Sequence, residues 1–498
     1  MYRYLVIYLF TLLSVSMAAQ EAAMLRPCRM GKRSALHRAS AHAPMPLLNR
    51  SEAASRYQGD RQQLVALVSF TDKQFQEANP LTLWDQIFNQ PGYRKAPFEG
   101  SVRDYFYAQS YGRFQLQFDL HYVALSANAS KYRSTDYDDD NSLLLVKDIL
   151  SELQQRDIDW SPYDWDGDGY VDQLLIVYAG KGQNDGGGSQ TIWPHQWWVS
   201  EHPGGEPLQV SGGGDTLLVD AYCCVQEMTG SGTYGTFGTI CHEYSHCFGL
   251  PDFYYGSSKS YVRQWDLMDY GNHNGNGFCP PGYSAHERMF MGWMTIPELT
   301  EAVSVDEMEA LADSAQAYLI RNDNYPSEFY VVENRQQRGW DRSLPGSGIL
   351  VFHIDFDDDI WRGLTSEYVN QPAHQRYTIF PANNSTSSLR QSGWAYPYAD
   401  NDSLTSLSEP AATLLHANSS QTKLMEKPLY NISIDAGGRA SFCFMKPRAT
   451  SVRQPLADGR PGRSDASLSG VCYNLRGERV AFPSRGIYLL NGRKVLVR

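Results

Sequence analysis

Cys241 to Gly256 reads CHEYSHCFGLPDFYYG, and no other stretch of this chain restricts its local fold as tightly. An α-helix sets residues i and i+4 on one face, one turn apart. His242 and His246 therefore present two imidazoles to one ion, and Glu243 projects beside the open coordination position, where a general base must sit. Gly249 follows His246 by three residues. A glycine there ends a helix in a left-handed turn, and Pro251 blocks any continuation. Asp252 then arrives ten residues after His242, where an HExxHxxGxxH site has its third histidine. A carboxylate oxygen is an acceptable zinc ligand, so His242, His246 and Asp252 are the expected zinc set. A bare HExxH also arises as two surface histidines on an amphipathic helix, so the surrounding sequence has to decide.

That sequence supplies WDLMDYG from Trp265. Met268 lies 16 residues after Asp252 in a turn closed by Gly271, the setting of a methionine turn beneath a metal. Tyr270, two residues on, is placed to hydrogen-bond an oxyanion at the metal. Glu287, in YSAHERMFMGW, is a rival third ligand. It follows the methionine turn at a distance, and a structural role is the preferred reading.

Several separate motifs, HEYSHCFGLPD, WDLMDYG, SVRDYFYAQSYGRFQL, DWDGDGYVDQLLIVYAG, IWPHQW, ENRQQRGWDRSLPGSGILVFHID and YTIFPA, together resemble the immune-inhibitor-A-like family of secreted bacterial metallopeptidases, from about Gln62 to Ala382. The resemblance implies zinc, a single active site and cleavage of proteins. The last residues, GVCYNLRGERVAFPSRGIYLLNGRKVLVR, resemble the sorting-type C-terminal tails of Gram-negative anaerobe exoproteins, which implies contact with a secretion machinery.

DWDGDGYVD puts Asp164, Asp166, Asp168 and Asp172 at positions one, three, five and nine of an EF-type loop, with Gly169 at six. Position twelve is Leu175 instead of a bidentate glutamate, and a strand follows where a helix should. Calcium and a plain acidic turn are left as equal readings. The aspartates of FHIDFDDD (Asp355, Asp357, Asp358, Asp359) are read as a solvated acidic loop in preference to a further cation site.

The remaining sequence sets the frame. MYRYLVIYLFTLLSVSMAAQ has a basic start, an apolar run from Leu5 to Val15 too short to span a bilayer, and small residues after it, which is the pattern of a signal peptide over 1–19. Residues 20–61 lack periodicity and read as a leader. Its Cys28 would cap the zinc as a thiolate in a latent precursor, although an unpaired or disulfide-bonded leader cysteine is preferred. Buried-strand patterns (LVALVSF, YVDQLLIVYAG) alternate with helical spacing (SLLLVKDILSELQQ) in 62–298. Short strands separated by turn residues fill 299–446, the look of a β-sandwich. Residues 447–468 form a Pro/Arg/Ser/Gly linker, and 469–498 a small β tail. The expected class is α+β: a zincin-like catalytic domain with a mixed sheet and an active-site helix, a β-sandwich, then the tail. Eight cysteines are too sparse for a dense disulfide framework, and export permits one or two bridges.

A net charge of -12 argues against nucleic acid or anionic lipid as main partners, and no later stretch is apolar enough for a membrane span. The function expected is that of a secreted or cell-surface zinc endopeptidase acting on protein or peptide substrates, with Glu243 activating a water on the metal. An exported adhesin with a structural metal is the alternative, and the intact Glu243 weighs against it.

Overall fold

Seven consecutive residues of β1 (Gly59–Ser69) are buried. Its side chains alternate between two cores, as period-two geometry requires. Val65 and Leu67 enter one core, while Leu64, Ala66 and Val68 enter another. A strand buried on both faces reads as an unbroken apolar run, and this one is an interior strand, second in a five-stranded sheet. The structure, a computed structural model, describes residues 56–134, 141–256, 259–363, 365 and 367–447, and the strands at 472–473, 479–480, 486–490 and 493–497.

The elements that follow β1 are α1 (Pro80–Asn89), α2 (Val102–Gln109), β2 (Phe114–Ala124), α3 (Ser142–Leu153), β3 (Tyr170–Val171), β4 (Leu174–Lys181), β5 (His195–Trp198), β6 (Leu208–Gly212), β7 (Asp215–Val219), β8 (Ala221–Met228) and α4 (Phe237–Ser245). The sheet runs β2-β1-β4-β8-β5. Its first four strands are parallel and β5 is antiparallel at the edge. Helix α3 packs Leu145, Val146, Ile149 and Leu150 on one face. On the other face lie α1, α2 and α4, through Trp84, Phe88, Tyr105, Phe106, Ile240 and Tyr244. Ser101 and Asp104 close a capping box that starts α2. Gln63 is a polar residue in the buried part of β1, and its amide is satisfied on both sides: it donates to Gln173 O (2.7 Å) and accepts from Tyr244 Oη (2.8 Å).

After α5 (Ala285–Phe290) the chain is mostly strand: β9 (Val303–Met308), β10 (Ala317–Arg321), β11 (Glu328–Arg335), β12 (Gly348–Asp355), the short α6 (Asp358–Trp361), β13 (Asn370–Gln371), β14 (His374–Gln375), β15 (Tyr377–Ile379), β16 (Leu429–Ile434) and β17 (Ala440–Phe444). An antiparallel sheet β10-β11-β12-β15 and a three-stranded sheet β16-β17-β9 share a core of Val305, Tyr330, Val332, Val351 and Phe442. The opposite face of the four-stranded sheet sends Phe329, Val331, Leu350, Phe352 and Ile354 into the core that also holds α4. Residues 449–498 form a separate unit with the sheet β19 (Arg479–Val480), β18 (Cys472–Tyr473), β20 (Gly486–Leu490), β21 (Arg493–Val497). Mixed α/β architecture is thus present, with several sheets and few helices. Among the described residues no helix is long and apolar enough to cross a membrane.

Candidate metal centre

Every residue of α4 is buried. The helix begins at Phe237, later than the TYGTF start of the periodic pattern suggests, and tightens into a 3-10 turn over His246–Phe248. Gly249 closes it at φ +83°, a conformation that favours glycine. Gly238 is required for a different reason: a Cβ there would lie 1.9 Å from Asn272 O, so only glycine lets α4 meet the segment after the methionine turn.

The two histidines are each fixed from behind. His242 Nδ1 is 2.8 Å from Leu267 O, and His246 Nδ1 is 2.7 Å from Leu250 O. A backbone carbonyl can only accept, so each Nδ1 carries the proton and each Nε2 is left as the donor atom for a metal. Neither Nε2 has a hydrogen-bond partner. The Asp252 carboxylate completes the group, with Oδ1 3.2 Å from His242 Nε2 and 3.5 Å from His246 Nε2. Two imidazole nitrogens and one carboxylate oxygen, gathered in a buried site, fit zinc chemistry. Burial lowers both histidines. For His242 the adjacent carboxylates of Asp252 and Glu243 overcome it and raise the pKa to about 9, whereas His246 falls to about 4. Glu243 is fully buried beside it.

Met268 is completely buried, and its turn is tied to the ligand loop by Phe253 N donating to Met268 O (2.9 Å). The Tyr270 hydroxyl is buried without a hydrogen-bond partner. Tyr270 stacks toward Tyr254 (6.1 Å), which in turn stacks toward His242 (6.4 Å). Glu287 is a helix cap: its carboxylate accepts from Ser284 N (2.6 Å) in a capping box that starts α5. It is not among the side chains that gather around His242 and His246.

Sequence reasoning missed the supports under this centre. Asp266 accepts from Met268 N (2.8 Å) and from Tyr377 Oη (3.0 Å), and Tyr377 Oη also reaches Ser284 Oγ (2.8 Å). Burial pushes Asp266 up to about 7. Tyr377 belongs to β15 and stacks on Phe253 at 3.9 Å, beside the ligand Asp252. Asp269 anchors the other side of the turn by accepting from the backbone N–H groups of Val262 and Arg263. WDLMDYG shows both aspartates, but nothing near Tyr377 in sequence marks it as the partner of Asp266.

At DWDGDGYVD the structure brings Asp164, Asp166 and Asp172 together. Asp168 is not in that group: its carboxylate accepts from Tyr170 N (2.9 Å), while its backbone N donates to Asp164 Oδ1 (3.2 Å). The Arg56 guanidinium bridges the loop, 2.9 Å from Asp172 Oδ1 and 3.1 Å from Asp166 Oδ2, so a positive charge already lies among these oxygens. The FHIDFDDD aspartates divide. Asp359 is exposed, Asp357 caps α6 and Asp358 pairs with Arg362. Asp355 corrects the expectation of a solvated loop, because it is the last residue of β12 and only 1% exposed. Among the described residues six cysteines are free thiols, Cys223, Cys224, Cys241, Cys247, Cys279 and Cys443. Cys28, the signal-peptide pattern and nearly all of the leader lie outside the described residues.

Residues 57–294 match the family model for the immune inhibitor A peptidase M6 catalytic domain. The chain is 27% identical over 297 residues to immune inhibitor A of Bacillus thuringiensis subsp. alesti, an alignment covering 49% of this chain and 42% of that protein. It is 23% identical over 345 residues to the pre-pro-metalloprotease PrtV of Vibrio cholerae serotype O1 (strain M66-2), covering 62% of this chain and 36% of PrtV. The similarity thus spans less than half the length of either relative.

Proposed function

We propose that this chain, whose residues 57–294 belong to the immune inhibitor A peptidase M6 family, is an exported zinc endopeptidase that hydrolyses proteins. One observation carries the reading: two buried Nε2 atoms with no hydrogen-bond partner face one carboxylate, with a buried glutamate next in sequence to the first histidine. His242, His246 and Asp252 would hold the zinc, and the ion when bound would supply Lewis acidity toward the scissile carbonyl and toward water. Glu243 accepts the proton of the attacking water and returns it to the leaving amine. Tyr270 donates its hydroxyl to the oxyanion as the carbonyl becomes tetrahedral. Its pKa is raised by burial to about 12, so the hydroxyl keeps its proton at neutral pH. This assignment takes the catalytic part as zincin-like, the strands after it as a sandwich, and unit 449–498 as the contact for an export machinery.

A casein assay tests the assignment. Hydrolysis stops with 1,10-phenanthroline and returns when zinc is restored to the washed protein. Tyr270→Phe lowers kcat by about 10-fold with little change in KM. That is less than the 10²- to 10³-fold of a sole oxyanion donor, because the metal shares the charge. Activity indifferent to the chelator removes the metal from the mechanism.

Calcium is part of the same reading. In the folded loop burial, with Asp166 nearby, raises Asp172 to about 7 and Asp168 to about 6, against about 3.9 for an unfolded aspartate. The folded state therefore binds these protons more tightly than the unfolded state. Their contribution to stability is complete below about pH 4 and is lost as pH rises through 6 to 7. A cation that takes the ionised carboxylates offsets that loss. Millimolar calcium should accordingly raise Tm more at pH 8 than at pH 5, and Asp166→Asn should abolish the difference. A Tm shift equal at the two pH values would rule the loop out as a calcium site.

A further inference from the structure

Asp355 raises a question that the active centre does not answer. Its side chain is wholly buried at the end of β12, and the Nε2 atoms of two histidines converge on its carboxylate. His374 Nε2 is 2.7 Å from Oδ2 and His416 Nε2 is 3.3 Å from Oδ1. The three residues come from different segments: β12, β14, and the stretch 404–425 between the two sheets. Neither Oδ1 of Asp355 nor Nε2 of His416 has a hydrogen-bond partner. An acceptor that is fully desolvated and unbonded is costly to keep, unless a ligand completes it.

The surroundings are built in the manner of a metal site. Arg376 Nη1 donates to Asp355 Oδ2 at 2.6 Å, which occupies one oxygen and leaves Oδ1 facing His416, the usual role of a partner behind a ligating carboxylate. Asp355 N donates to Arg376 O at 2.8 Å. His416 is held without any bond to Nε2: its backbone N donates to Glu328 Oε2 at 3.0 Å, and its ring stacks on Tyr325 at 3.8 Å. Ligands about 2.0–2.2 Å from a tetrahedral zinc ion lie roughly 3.3 Å from one another. The His416–Asp355 separation of 3.3 Å meets that value, and so do the 3.2 and 3.5 Å separations at the catalytic centre. His374, 28% exposed, brings its donor atom within 4.8 Å of the other two.

We propose that Asp355, His374 and His416 form a second metal site that takes one zinc-class divalent ion. Imidazole with carboxylate suits zinc and its first-row neighbours better than calcium or magnesium. Water fills the open coordination position of a site with three protein ligands. The ion staples the 404–425 stretch to the end of β12 and lies apart from the catalytic ligands in sequence and in function. The competing account is an ion pair of protonated histidines with the carboxylate, which needs no metal.

Zinc counting on the full chain separates the two. The purified protein is stripped with chelator, equilibrated with micromolar zinc, freed of excess and analysed by mass spectrometry for metal per chain. Wild type holds two zinc ions. His416→Gln and His374→Gln each hold one, retain casein hydrolysis within about twofold, and lose part of the zinc-dependent rise in Tm. Asp252→Ala also holds one and is inactive. If wild type holds a single zinc that Asp252→Ala removes, or if His416→Gln still holds two, the second site does not exist. Loss of one zinc in His416→Gln with no change in Asp252→Ala leaves this site standing and sinks the catalytic assignment instead.

Discussion

Glu243→Ala folds, keeps zinc at the catalytic centre and loses protein hydrolysis by about 10²- to 10⁴-fold, the range for removing a positioned acid–base group. The zinc should survive because the proposed ligands are His242, His246 and Asp252, not Glu243, and the Nδ1 bonds to Leu267 O and Leu250 O that orient the imidazoles are untouched. The fold should also survive, since removing a buried ionisable side chain relieves desolvation even as it leaves a small void. The loss should fall in kcat, because proton transfer belongs to the transition state and substrate binding does not. Far-UV circular dichroism, zinc content and casein kinetics on one preparation check all three points. A variant cleaving at near wild-type rate means that another residue, or none, supplies the base.

The second large effect is on metal. Asp252→Ala should weaken zinc binding by at least about 100-fold, since partners that only orient ligands already account for 10- to 100-fold, and activity at trace zinc should vanish with it. Met268→Leu is the contrasting variant. Met268 is fully buried and packs beneath the site, so a swap of similar volume costs less than about 1.5 kcal/mol of stability and leaves zinc affinity unchanged. Competition with a colorimetric chelator measures both. Equal affinities for wild type and Asp252→Ala would remove Asp252 from the site.

The catalytic residues were legible because they are local. Two histidines, a glutamate, a glycine and an aspartate within 11 residues are one helix and one turn: helical geometry pairs the histidines, and the glycine turn returns the aspartate to them. The supports were not legible, for the same reason reversed. Tyr377 reaches Asp266 across 111 positions, and no periodicity encodes a partner that far away. Arg56 reaching into the acidic loop belongs to the same class. FHIDFDDD failed differently. Its four aspartates read in sequence as one solvated loop, but the first ends a strand. The run GILVFHID is apolar around His353, and that pattern could have placed Asp355 inside. The two faces of β1 were legible as a buried strand, whereas which side chains enter which core depends on the partners that cover them.

The stacking of Tyr377 on Phe253 has a consequence for how such enzymes are handed on. The family signature ends at residue 294, yet the floor beneath the ligand loop is laid by a strand some eighty residues later. What is copied as an M6 catalytic domain is thus shorter than what must be inherited for the loop to be held. Recombination that joined residues 57–294 to a foreign partner would carry the chemistry and leave its foundation behind. For the loop to stay held, a transferred segment would have to run from residue 57 through β15.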